Sequence, residues 1–81
     1  MKIFYTPKFK RSFDNFPKHI RDKFYKQTTH LIKNIRHPSL KAKKYSEKLD
    51  IWQARIDKSV RFYFLIDKDR YVLLDIKKHS K

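Results

Sequence analysis

From residue 51 onward the chain alternates apolar and polar side chains with a period of two. Trp52, Ala54 and Ile56 alternate with Gln53, Arg55 and Asp57. After Lys58-Ser59, the apolar set resumes as Val60, Phe62, Phe64 and Ile66, interleaved with Arg61, Tyr63 and Leu65. After Asp67-Lys68-Asp69 it continues as Val72, Leu74 and Ile76, interleaved with Tyr71, Leu73 and Asp75. This pattern predicts a three-stranded antiparallel meander. The first half has a helical period instead. Phe9, Phe13 and Phe16 recur at spacings of four and three, which predicts a short amphipathic helix. Ile20, Phe24, Leu31 and Ile35 form the stripe of a second helix, with Arg21, Lys23, Lys26 and Lys33 mostly off it. Pro17 suits that helix's first turn, where its missing N–H costs nothing. His37-Pro38 should end it, because the residue before proline is pushed out of the helical region. Residues 2–6 read as a short strand stopped by Pro7, and residues 39–50 as a basic, weakly patterned loop.

The expected order is β-α-α-β-β-β in a single domain over residues 1–81. This is an α+β fold, with two antiparallel helices packed on one face of a small, mainly antiparallel four-stranded sheet. Successive strand residues point to opposite sides, so the apolar set should face the helices. The other face should then carry Gln53, Arg55, Arg61, Tyr63, Leu65, Tyr71, Leu73 and Asp75, and, if the strand continues, Lys77 and His79. On that reading Arg61 lies on the open surface, and removing its side chain should barely affect folding.

Composition narrows the functions available. Seven Phe, five Tyr and one Trp in 81 residues argue for a packed core rather than a disordered basic tail. Glycine is absent, which excludes Gly-rich phosphate loops, and there is no cysteine for disulfides or thiolate metal sites. No segment has the apolar length of a signal peptide or a bilayer span, so the expectation is a cytoplasmic protein with no membrane partner. The 22 Lys and Arg against 8 Asp and Glu leave a net charge of +14, an excess that points to a polyanion, nucleic acid first. Residues 1–50 supply a surplus of ten of those charges.

The chemistry that charge could serve sits on the open face. Arg55 and Arg61 flank one hairpin turn, and guanidinium forks grip phosphate through paired hydrogen bonds. The bland alternative leaves both solvated, or paired with Asp57 or Asp75. Tyr63 and Tyr71 are placed to stack on bases, or simply to pack across strands. Of the four histidines, His19, His30 and His37 read as surface or capping residues of the second helix. None forms a metal-type pair, so no metal or other cofactor is expected. His79 follows the last strand, within reach of the arginines, where an imidazole can act as general acid or base. The lysines of residues 41–48 would add affinity for a phosphate backbone without reading sequence.

These residues resemble the RelE/ParE toxin superfamily. The resemblance is carried by Phe16-Pro17-Lys18-His19-Ile20, His37-Pro38-Ser39-Leu40, Ile51-Trp52-Gln53-Ala54-Arg55-Ile56, Val60-Arg61-Phe62-Tyr63-Phe64 and Leu74-Asp75-Ile76-Lys77-Lys78-His79, in that order, nearly end to end. It implies the toxin of a type II toxin–antitoxin module, held in check by a small acidic antitoxin. It further implies a metal-independent, ribosome-dependent mRNA endonuclease in which the 2′-hydroxyl attacks the neighbouring phosphate. Arg61 matches the family's phosphate-stabilising arginine, Arg55 a basic position on the preceding strand, and His79 the acid-type residue. Glu47 lies where some members carry a glutamate that could be the base. Lys41, Lys43, Lys44, Gln53, Tyr63, Tyr71, Lys77 and Lys78 are then the candidate RNA contacts. Active members often carry a base-stacking aromatic after this histidine; here Ser80 and Lys81 follow, and Tyr63 or Tyr71 would have to substitute. The same fold includes ParE-type toxins that inhibit DNA gyrase without nuclease residues. That is the alternative, together with a plain RNA- or ribosome-binding module.

Overall fold

The computed structural model describes residues 1–79; the positions after His79, where the resemblance places a stacking aromatic, lie outside the described residues. The elements are β1 (Lys2–Tyr5), α1 (Pro7–Asp14), α2 (Lys18–Lys33), a 3-10 turn (Pro38–Leu40), β2 (Lys43–Ser46), β3 (Ile51–Arg55), β4 (Val60–Asp67) and β5 (Arg70–Lys78). The sheet has five strands in the order β1-β5-β4-β3-β2. All neighbours are antiparallel except β1 and β5, which run parallel at opposite ends of the chain with the two helices and the other three strands between them.

The fifth strand is a correction: residues 43–46, expected in a loop, pair with β3. This short edge strand buries neither face completely, so it lacks an apolar alternation to read. Its lysines suit an edge, where charge discourages pairing with another sheet.

The two helices begin where the prolines direct. Thr6 is the N-cap of α1; its Oγ1 accepts the Phe9 N–H at 3.2 Å and donates to the Leu73 carbonyl at 2.8 Å. One hydroxyl therefore starts the helix and ties it to β5. Pro17, expected inside the first turn of α2, is its N-cap instead. The helix ends at Lys33, before the His37-Pro38 pair expected to stop it. Phe24, fully buried on α2, is the centre of the core. Its ring lies 5.0 Å from Phe13, 5.3 Å from Phe9 and 5.4 Å from Phe62. In a core this small, a handful of such rings has to supply most of the apolar burial.

The expected face assignment holds for β4 up to Phe64 and for the buried positions of β3, then fails in the first part of β5. Tyr63 pairs with Asp75, but Phe64 pairs with Leu73, leaving Leu74 as an extra residue in a bulge. Because side chains alternate with period two, one extra residue reverses every assignment upstream of it. Tyr71 and Leu73, expected on the open face, are buried on the helix side at 5% and 0% exposure. Val72 and Leu74, expected in the core, are only partly buried. Ile66, also expected inside, is exposed at the end of β4.

With no glycine in the chain, left-handed backbone positions fall to other residues. Lys41 (φ 45°), Asp50 (φ 56°) and Lys68 (φ 57°) occupy them, at a cost of roughly 1–2 kcal/mol each. Among the described residues, no helix is long and apolar enough to cross a membrane.

Candidate nucleic-acid interface and active site

Arg55 and Arg61 lie directly opposite one another in the β3–β4 ladder, and Arg61 in turn lies opposite Lys77 of β5. Three cations therefore share one rung of the open face. Like charges placed directly opposite destabilise a sheet unless something else offsets them.

The offset at Arg61 is a turn. Its Nη1 donates to the carbonyls of Asp57 (2.8 Å), Lys58 (3.0 Å) and Val60 (3.4 Å). The side chain is part of the hairpin's construction, and the residue is only 8% exposed. The expectation that it stands free on the surface is corrected by these bonds. Arg55 has no such compensation. It forms no ion pair among the described residues, and its Nε is buried with no hydrogen-bond partner. An unsatisfied buried donor is costly in a native fold. An anion in the pocket that Arg55 lines would pair with its charge.

Neither nearby carboxylate neutralises the pair. Asp57 Oδ1 accepts the N–H groups of Ser59 and Val60, both at 2.9 Å. Burial alone would raise the Asp57 pKa, but those N–H groups and the Lys23 ammonium outweigh it and hold the carboxyl below its ordinary 3.8. Asp75 accepts its neighbour's Ile76 N–H and lies within 4.0 Å of Lys8 and Lys77.

His79 is brought to the same end of the sheet, where its backbone N–H donates to the Ser59 carbonyl. A pocket of about 160 Å³ is lined by Lys41, Lys43, Gln53, Arg55, Arg61 and His79. A wider hollow of about 520 Å³, which shares the two arginines and His79, adds Lys58 and Ser59. Among the described residues, no carboxylate lines either one. Behind them, Gln27 of α2 donates its Nε2 to the Arg55 carbonyl (2.7 Å) and to the Ser39 carbonyl (3.1 Å), and accepts from Ser39 Oγ (3.0 Å). Gln27 holds β3 and the 3-10 turn against the helix. Its sequence signal is a polar residue on the apolar stripe, three after Phe24 and four before Leu31.

Several expected contacts lie elsewhere. Glu47 sits in the β2–β3 turn, at the opposite end of β3 from Arg55; its side chain is 83% exposed and 3.6 Å from Lys44. Lys44 is opposite Trp52, on the helix side of the sheet, with its ammonium 5.3 Å from the indole centroid. Hydrogen bonding to Asp50 leads the causes that raise its pKa. Lys78 pairs with Val60 and so also occupies a helix-side position. Tyr71 packs edge-on to Phe64, 5.4 Å between centroids, and burial raises its phenol pKa.

Tyr63 remains on the open face, and burial leads the causes that raise its pKa, so it stays a neutral phenol near pH 7. Tyr45 of β2, which the sequence pattern does not single out, meets it edge-on at 4.9 Å and is largely exposed. These two rings, with Ile51, Leu74 and Lys77, line a mainly apolar groove of about 440 Å³ beside the arginine rung. Lys77 turns toward that groove, its ammonium 5.6 Å from the Tyr63 ring centroid. The site thus combines a cationic pocket with an aromatic platform, the two features single-stranded nucleic acid requires. Among the described residues, no group of three or more His, Asp or Glu side chains is arranged to hold a metal.

No protein-family model matches the sequence, and no curated protein matches it. Solved structures do. A YoeB/ParE toxin from Agrobacterium tumefaciens superposes with a TM-score of 0.82 at 14% identity, covering 99% of this chain and 100% of that one. The YoeB dimer from Staphylococcus aureus gives 0.82 at 18% identity, over 99% and 98%. The archaeal RelE–RelB complex from Pyrococcus horikoshii gives 0.80 at 13% identity, over 99% and 96%. This chain therefore has the fold of these YoeB/ParE and RelE toxin structures.

Proposed function

We propose that this chain is the toxin of a type II toxin–antitoxin module and acts as a metal-independent endoribonuclease on mRNA at the ribosome. The observation that carries the proposal is the Arg55–Arg61 pair: two arginines directly opposite in the ladder, lining one pocket with no carboxylate among its described residues, and one buried N–H of Arg55 left without an acceptor. A phosphodiester supplies what is missing. The 2′-hydroxyl of the preceding nucleotide attacks the phosphorus. Arg55 and Arg61 stabilise the charge that builds on the pentavalent phosphate. His79 donates a proton to the departing 5′-oxygen. Lys41 and Lys43 hold the flanking backbone, and Tyr63 with Tyr45 supports a base. Glu47 has no part in this pocket, so the proton of the 2′-hydroxyl must leave to another acceptor.

An antitoxin partner is supported by the structural neighbours solved as complexes, among them YoeB–YefM from Staphylococcus aureus and RelB–RelE from Methanococcus jannaschii. An acidic chain carrying apolar side chains would complement both the cationic pocket and the groove beside it.

The lack of a carboxylate among the described residues of the pocket favours a second reading, a non-catalytic toxin that inhibits a protein target such as gyrase. Primer extension on a reporter mRNA after induction separates the two. Discrete ribosome-dependent cuts that disappear with His79→Gln support the nuclease. DNA damage without cuts supports the second reading.

A further inference from the structure

A second cationic hollow, of about 570 Å³, opens on the other side of the 3-10 turn and includes Lys23, Lys26, His30, His37 and Ser39 in its lining. The imidazoles of His30 and His37 are stacked, 3.7 Å between centroids and 12° from parallel. His37 Nδ1 accepts the Ser39 N–H at 3.2 Å, which fixes its orientation at the start of the turn. Among the described residues, no carboxylate lines the hollow. Asp57, 4.0 Å from Lys23, borders it with one oxygen already committed to the hairpin N–H groups. Ser39 lines this hollow and Lys41 lines the arginine pocket, with only buried Leu40 between them. The two cationic sites are therefore joined by a single turn of chain.

We propose that this hollow is a second phosphate-binding site, which takes the backbone of the same RNA beyond the arginine pocket and takes up a proton as it does so. The inference rests on the ribonuclease reading. A polyanion strand crossing the 3-10 turn meets Lys41 and Lys43 on one side and Lys23 and Lys26 on the other. An acidic protein segment would find the same charges, but the continuity of this hollow with the arginine pocket through Ser39, Leu40 and Lys41 favours the strand already bound there.

The proton follows from the stack. Burial, His37, Lys26 and Lys33 all lower the His30 pKa, so in the free protein it is neutral at pH 7. A phosphate placed among these groups favours the imidazolium and raises that pKa. Binding and protonation are then linked: affinity rises as pH falls from the raised, bound value toward the lowered, free one.

The test is an NMR titration of the His30 ring in the full chain, with and without a 2′-O-methylated single-stranded RNA, which binds without being cut. The RNA is expected to raise the His30 pKa, and His30→Gln to lose the part of the pH-dependent affinity gain that this proton supplies. Lys23→Ala/Lys26→Ala should reduce the salt slope of binding by about 0.7 for each phosphate no longer neutralised, with thermal melting confirming that the variant is folded. If the RNA binds and perturbs Arg55 and His79 while the His30 pKa stays put, this second site is overturned and the arginine pocket stands. If poly-glutamate shifts His30 and RNA does not, the surface belongs to an acidic protein and the RNA assignment is wrong. If this RNA does not bind at all, the second site is overturned, while the ribonuclease reading is decided separately by cleavage of mRNA on the ribosome.

Discussion

Arg61 and His79 are held by the same hairpin turn. Arg61 Nη1 donates to the carbonyls of Asp57 and Lys58, and the His79 N–H donates to the next carbonyl, that of Ser59. Three consecutive carbonyls thus position the Arg61 guanidinium and the His79 backbone relative to each other. The turn is itself fixed by the Asp57 carboxylate, which accepts the N–H groups of Ser59 and Val60. A residue outside the pocket therefore bears on the geometry of two that line it.

Substitutions at Arg61 should reveal this double duty. Arg61→Ala leaves the turn carbonyls without their donor and is expected to cost about 1–3 kcal/mol of stability. It should also slow cleavage roughly a hundred- to a thousand-fold. Arg55 is bonded to the turn by nothing but its strand, so Arg55→Gln should reduce cleavage while leaving the melting temperature unchanged or higher, since it removes a like-charge pair. Thermal melts and cleavage rates measured on both variants check this. Equal stability losses would mean that Arg61 is not what holds the turn.

The Asp57 carboxyl titrates lower in the fold than its ordinary 3.8. A depressed folded pKa gives stability that is complete above the unfolded value and lost as pH falls through the folded one. The wild-type melting temperature should therefore fall below about pH 4 more steeply than that of Asp57→Asn. Parallel acid limbs for the two proteins would show that the Asp57 carboxylate does not hold the turn.

The bulge at Leu74 makes two adjacent leucines unlike. Leu73→Ala opens a cavity in the core and should destabilise by about 2–5 kcal/mol. Leu74→Ala only trims the wall of an open groove and should cost well under half as much. Denaturant midpoints measure both, and the reverse order would restore the uninterrupted alternation.

Lysines close in sequence should also differ. Lys41→Ala and Lys43→Ala should each flatten the salt dependence of RNA binding, by about 0.7 in slope for every phosphate left without its cation. Lys44→Ala, on the helix side with Trp52, should leave it unchanged. A filter-binding series across salt concentrations decides the matter.

The helices and the meander were legible because their apolar residues keep strict periods; Phe9, Phe13, Phe24, Phe62 and Phe64 are all core, as their spacing requires. The pairing of Arg55 with Arg61 was legible for the same reason, since the β3–β4 hairpin is unbroken; His79 joins them because it follows β5 beyond the bulge. Three things were not. β2 is an edge strand with no buried face to leave an alternation. The Leu74 bulge has no glycine or proline to mark it; beside it the Leu73 carbonyl accepts from the Thr6 N–H and hydroxyl, a tertiary tie that a strand pattern does not show. The burial of Arg61 depends on where its side chain turns, and a strand pattern carries no information about that. Glu47 was reached by resemblance in a poorly patterned stretch, and the β2–β3 turn carries it away from the pocket.

The proposed Arg55–Arg61 active site would cleave RNA through the RNA's own 2′-hydroxyl. The most direct measurement is end-group analysis of a ribosome-bound mRNA incubated with the purified chain, without divalent metal beyond what the ribosome requires. The expected products end in a 2′,3′-cyclic phosphate and a 5′-hydroxyl, with no cutting where the scissile nucleotide is 2′-deoxy and strong loss with Arg55→Gln. Products bearing a 5′-phosphate, or cutting that survives the 2′-deoxy substitution, would contradict it.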